Sequence, residues 1–202
     1  MPSTMLKSAL RETVEVLFLA ALVFFGARVL LDNFIVTGPS MQPTLHTGQW
    51  LAINKVVYLR SSWMEKLNPF RQPGDGHYVF HPPRRGEIVV LQPPVASSNL
   101  FIKRVIGEPG DSVEVRQGRV LVNGSVLVEP YLREPARQDY ARQVVPAGHF
   151  FVMGDNRNQS EDSRFFGMVP AGNIVGKAWV KYWPPSEWGL VYNVAVAAGP
   201  AP

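Results

Sequence analysis

Ser40 sits in GPSMQPTLHTG (38–48), a stretch with the composition of a stiffened loop. Pro39 and Pro43 fix φ on either side of the serine, and Gly38 lets backbone approach closely. A hydroxyl held in one place suits nucleophilic catalysis, because positioning replaces the entropy lost in a chance encounter. A loop serine is by default only a turn residue or cap, so chemistry at Ser40 also demands a base. The chain has no cysteine, which excludes thiolate nucleophiles, disulfides and Cys-ligated metal.

A Ser-His-Asp set would draw its base from His46, His77, His81 or His149. None of the four has an adjacent acid or a distinctive setting, as that arrangement would favour. The other available base is lysine, which accepts a proton only when burial lowers its pKa. Of the six lysines, Lys103 alone lies in a segment such as LFIKRVIG (100–107), flanked by large apolar residues and followed by Gly107, Pro109 and Gly110. Strand alternation puts Phe101, Lys103 and Val105 on one face and Ile102, Arg104 and Ile106 on the other. The plain alternative is an edge-strand lysine that guards against aggregation.

A third cluster is GDNRNQSEDSRFFG (154–167). It gathers Asp155, Arg157, Asp162 and Arg164 with Asn156, Asn158, Ser160 and Ser163. It reads either as a solvated loop or as a buried polar network propping up a site, since buried charges must be paired. The spacing and terminal glutamate of an EF-hand are missing.

The elements that must position these residues are mostly strands. Residues 50–59, 86–92, 101–107, 112–124, 148–155 and 175–183 alternate or run apolar as strands do, and Gly118 and Asn123-Gly124 mark hairpin turns. Eighteen prolines and seventeen glycines fit short strands and many turns. Residues 61–83 and 129–143 are turn-rich and read as peripheral, and 193–202 as a frayed tail. A net charge of +4 is spread without a basic run, which speaks against nucleic-acid binding.

The N-terminal stretch VEVLFLAALVFFGARVLL (14–31) is the most apolar part of the chain. A bilayer span needs about 20 mostly apolar residues. The stretch reaches that length only with Glu15 and Asp32 at the two interfaces and Arg28 extended outward along its aliphatic stem. A cleaved targeting segment is disfavoured because no small-x-small site follows Ala27, and a buried core helix is the remaining alternative. Lys7 and Arg11 before the span place the N-terminus inside.

GPSMQPTL (38–45), RGEIVVL (85–91), FIKRVIGEPGD (101–111) and GDNRNQSEDSR (154–164) occur in this order after a hydrophobic segment. Together they closely resemble the bacterial type I signal peptidases, membrane-bound serine proteases that remove signal peptides from exported proteins. The resemblance covers about residues 34–183 plus the anchor. It implies a mainly β fold: a signal-peptidase-like catalytic core with a β-ribbon extension, preceded by one transmembrane helix. The corresponding division is 1–13 cytoplasmic, 14–32 anchor, 33–106 and 144–190 catalytic β domain, 107–143 β-ribbon and 191–202 tail. Ser40 matches the family's nucleophile, Lys103 its general base, and Ser160 the serine that orients the amine. Asp155, Arg104, Asp162 and Arg164 match supporting residues. Phe34, Val36, Met41, Val90, Phe101 and Ile102 match the apolar lining of pockets that select Ala-x-Ala-like sites. The resemblance implies signal peptides of secreted preproteins and membrane lipid as partners, no cofactor or metal, and a catalytic domain on the extracytoplasmic side.

The sequence departs from parts of the family at two places. Gly38 stands where some members carry a serine that helps hold the oxyanion, leaving the Ser40 N–H as the main donor. Asn158-Gln159 replaces a frequent Asp-Asn. Two rival readings are a related Ser-Lys peptidase such as a self-cleaving repressor, whose usual helix-turn-helix is not evident here, and a membrane-tethered β domain that binds partners without catalysis.

Overall fold

Beyond the first thirty positions short segments rich in Val, Ile and aromatic residues recur between turns, and the computed structural model arranges them in two antiparallel sheets. It describes residues 2–60 and 78–193. Most of the expected 61–83 insertion, His77 within it, and nearly all of the expected tail lie outside the described residues.

The chain opens with helix α1 (Pro2–Leu30), free of proline after its first residue and ending with Arg28 in the last turn. A cation there faces the negative end of the helix dipole. Its apolar side chains from Val16 to Phe25 are exposed. Leu31 and Asp32, the last residues of the expected anchor, lie beyond the helix and pair with Asn54 and Ile53 as a strand. Among the described residues no helix is long and apolar enough to cross a membrane.

The main sheet contains β1 (Leu31–Ile35), β2 (Trp50–Asn54), β3 (Ile88–Leu91), β4 (Phe101–Gly107), β9 (His149–Met153), β10 (Val169–Pro170), β11 (Ile174–Trp183) and β12 (Gly189–Leu190). Their order is β1-β2-β11-β3-β4-β9-β10, with β12 added to β11. The second sheet, in the order β7-β6-β5-β8, uses β5 (Ser112–Arg116), β6 (Arg119–Val122), β7 (Ser125–Val126) and β8 (Tyr140–Val144). The turn between β5 and β6 has Gln117 and Gly118 at φ of 50° and 78°, a left-handed pair suited to a two-residue hairpin loop. The strand expected over 50–59 stops at Asn54. The Asn54 side-chain oxygen accepts from the N–H groups of Val56 and Val57, diverting the backbone into a short 3₁₀ turn (Val56–Tyr58).

The two sheets meet where β4 runs into β5. A Cβ on Gly107 would come within 2.6 Å of the Val113 side chain, so only glycine permits the crossing there. Val113, Val115, Val120 and Val122 of the second sheet close over Ile106, Phe151 and Met153 of the first. A separate cluster lies under the loop after β1: Met41 and Leu45 sink among Val36, Leu51, Ile53, Ile88, Val90 and Ile102. Both Met41 and Leu45 are fully buried, and burial of such side chains contributes about 1.5–3 kcal/mol each. They pin the loop that carries Ser40 to the sheet.

Candidate active site

Ser40 lies in the turn after β1. Gly38 has φ +81°, which glycine adopts without strain. The turn is closed by Gln42 N–H donating to Pro39 O at 3.0 Å and by Leu45 N–H donating to Met41 O at 2.9 Å. Thr47 Oγ1 donates to Gly38 O at 2.9 Å. From the far side of the site, Asn156 N–H donates to the Ser40 carbonyl at 3.0 Å. Among the described residues the Ser40 N–H has no acceptor.

Lys103 reaches this serine from β4. It stands opposite Val89 in the register of β3 and β4, and β9 flanks β4 on the other side. The edge-strand alternative is therefore overturned: the strand is interior, and Lys103 is only 4% exposed. Its Nζ donates to Ser40 Oγ at 2.9 Å and to the Ile102 carbonyl at 2.9 Å. Burial pushes its pKa down from 10.5 to about 8, against the opposing pull of Asp162, Glu161 and Asp155. None of the described histidines hydrogen-bonds Ser40: His81 and His149 face the Pro82 and Ala147 carbonyls, and His46 is exposed.

The segment after β9 is the buried polar network, not a solvated loop. Arg104 grips Asp155 through two hydrogen bonds, Nε to Oδ1 at 2.8 Å and Nη2 to Oδ2 at 2.7 Å, with both side chains out of solvent. Arg104 Nη1 also donates to Gly86 O at 2.7 Å, and its guanidinium lies 4.0 Å from the Tyr131 ring centroid. Asp162 caps the short helix α2 (Ser163–Phe166) and accepts from Gly154 N–H at 3.0 Å and from Arg164 Nε at 2.8 Å. Arg164 Nη2 donates onward to Arg157 O at 2.7 Å, and Arg157 pairs with Glu129. Every buried charge in the chain of contacts is thus matched, as burial demands.

Ser160 is brought to the site but not to the amine. Its Oγ is buried without a hydrogen-bond partner, while Ile102 O takes the second proton of Lys103. The expected contact between Ser160 and the lysine is not formed in this structure.

A cleft of ≈ 520 Å³ opens beside Ser40 and Lys103. Phe34, Phe101 and Ile102, three of the residues that the resemblance matches to an apolar pocket lining, line it. Val36, Met41 and Val90 do not: each is at most 1% exposed and sits in the core cluster against which Phe34 packs. Two residues of the site, Thr44 and Glu161, were not named from the sequence, and Asn156 was named only as a member of the polar cluster. Thr44 Oγ1 donates to Asp155 Oδ2 and ties the Ser40 loop to a carboxylate 111 positions away. Asn156 holds the Ser40 carbonyl, and Glu161 lines the cleft. Only the placement of Asn156 and Glu161 within the 154–164 motif offered a signal for them.

A family model described as signal peptidase, peptidase S26 matches residues 10–183. The chain belongs to this family. It is 37% identical over 190 residues to a signal peptidase I of Leptolyngbya laminosa, covering 90% of this chain and 84% of that protein. It is 30% identical over 207 residues to signal peptidase IB of Staphylococcus aureus strain MRSA252, covering 94% and 97%. With thylakoidal processing peptidase 1 of Arabidopsis thaliana it shares 35% identity over 193 residues, 93% of this chain and 51% of that protein. A crystal structure of a signal peptidase I from Enterococcus faecalis V583 aligns with 47% of this chain and 95% of its own, at 34% identity and a TM-score of 0.43. As a type I signal peptidase the chain is a serine peptidase, and the reading as a non-catalytic tethered β domain is set aside.

Proposed function

We propose that this signal peptidase cuts exported preproteins after Ala-x-Ala-like sites by a Ser40–Lys103 dyad. The carrying observation is the 2.9 Å contact between a buried lysine amine and a loop-held serine hydroxyl, at the edge of an apolar cleft. Lys103, neutral near its lowered pKa, takes the Ser40 proton as Oγ attacks the scissile carbonyl. The Ser40 N–H, without an acceptor among the described residues, is left to donate to the developing oxyanion. Lys103 then protonates the leaving amine, the mature chain departs, and a water activated by the same lysine releases the signal peptide from the acyl-enzyme. Asp155, Arg104, Asp162 and Arg164 hold the two reacting groups in place. Phe34, Phe101 and Ile102 form the walls that admit small side chains.

α1 is the element that tethers the enzyme to the membrane. Its apolar side chains from Val16 to Phe25 are exposed, a contiguous apolar surface of the kind that marks membrane contact. In this reading lipid covers the exposed apolar face of α1, and Ser40, a few residues beyond β1, meets the end of the apolar segment of a membrane-inserted signal peptide. The catalytic domain then lies on the extracytoplasmic side.

The test uses the full chain in detergent with a purified preprotein bearing an Ala-x-Ala site. Wild type is expected to cut after the second alanine, while Ser40→Ala and Lys103→Met, folded by circular dichroism, do not. Full activity in Lys103→Met overturns the dyad.

A further inference from the structure

The cleft beside Ser40 is lined by ten residues, of which only Lys103 and Glu161 carry charge. The other liners are apolar or neutral, among them Phe34, Ile35, Leu100 and Ile102. Lys103 is buried and bonded within the protein. Glu161 is the opposite case: its side chain is exposed at the rim, and among the described residues it forms no ion pair. The neighbouring acids are already matched, Asp155 with Arg104 and Asp162 with Arg164. One unpaired carboxylate therefore dominates the accessible charge of the cleft. Its influence reaches inward too, since Glu161 is one of the acids that raise the pKa of Lys103.

A charge in a cleft with apolar walls acts more strongly on a bound ligand than one on an open surface, because field lines concentrate in the polar channel. A peptide bound in extended form alternates its side chains every residue. When two small side chains one residue apart enter the cleft, the residue between them and the first residue after the cut both turn back toward the rim. Glu161 faces that rim.

We infer that Glu161 is a specificity determinant, which favours substrates with a basic side chain beside the final small residue before the cut and disfavours acidic ones. The inference rests on the proposed reading of the cleft as the substrate site. An exposed charge pair contributes at most about 1 kcal/mol, which is about a fivefold preference. The effect is screened by salt.

Matched peptides with an Ala-Xaa-Ala site test it, with Xaa as Lys, Gln or Glu, and a second series varying the first residue after the cut in the same way. Each kcat/KM is divided by that enzyme's own rate on the Gln peptide, so that any general loss of activity cancels. Wild type is expected to prefer Lys over Glu about two- to fivefold in at least one series, and less at high salt. The ratio should fall to near one in Glu161→Gln and invert in Glu161→Lys. A wild-type ratio near one in both series, or a preference that persists unchanged in Glu161→Gln, overturns the inference while leaving the peptidase reading intact. If wild type cuts none of the peptides, including the neutral one, the substrate reading itself falls and the inference with it.

Discussion

Gly154 backs directly onto Ser40. A Cβ at Gly154 would stand 2.5 Å from the Ser40 carbonyl oxygen and 2.2 Å from Ser160 Oγ. The last residue before the polar network must therefore be glycine for the Ser40 loop to seat. Gly154→Ala is expected to displace the Ser40 loop, lower kcat more than tenfold and lose about 1–3 kcal/mol of stability. Thermal unfolding and single-turnover cleavage measure the two effects separately.

Asp155 joins three parts of the site: Arg104 on β4, Thr44 in the Ser40 loop and its own backbone after β9. Asp155→Ala leaves the Arg104 guanidinium buried and unpaired. Removal of one partner of such a pair destabilises by about 3–5 kcal/mol. Denaturant unfolding at pH 7 should show that loss. Thr44→Val removes only one hydrogen bond and should lose about 1 kcal/mol, so its main effect should be on kcat.

Lys103 is expected to oppose stability at neutral pH. Its pKa of about 8 in the folded chain lies below its ordinary 10.5, so the unfolded chain binds more protons between these values and stability rises with pH across that window. Below about pH 8 the whole penalty, roughly 3 kcal/mol, is present. Lys103→Met should therefore be more stable than wild type at pH 6, with the difference shrinking toward pH 10.5. Equilibrium unfolding at the two pH values checks it, and a constant difference contradicts it.

Much of the site was legible because its residues fall in compact motifs. Apolar neighbours made Lys103 a candidate and flanking prolines made Ser40 one, but their own context left the edge-strand lysine and the turn serine open, and the roles came from the resemblance of the four motifs. The hairpin of β5 and β6 followed from alternation and Gly118. Other features depend on contacts far apart in sequence. Nothing near Thr44 signals that it meets Asp155. Val36, Met41 and Val90 have the same apolar character as Phe34 and Ile102, and only packing divides cleft wall from the core behind it. β1 was hidden because the polar pair Asp32-Asn33 breaks both the apolar run of α1 and any strand alternation across Leu31–Ile35, and its pairing with β2 is what turns it into strand. The end of β2 was missed because a single side chain, Asn54, captures the next two N–H groups.

The most direct test of the central claim is the pH dependence of kcat/KM for a neutral Ala-x-Ala peptide, measured on the full chain in detergent. A buried lysine that must be neutral to act predicts activity rising tenfold per pH unit below a single limb near pH 8, where Lys103 loses its proton. A profile that is flat from pH 6 to 9, or that falls through neutrality, would contradict Lys103 as the base.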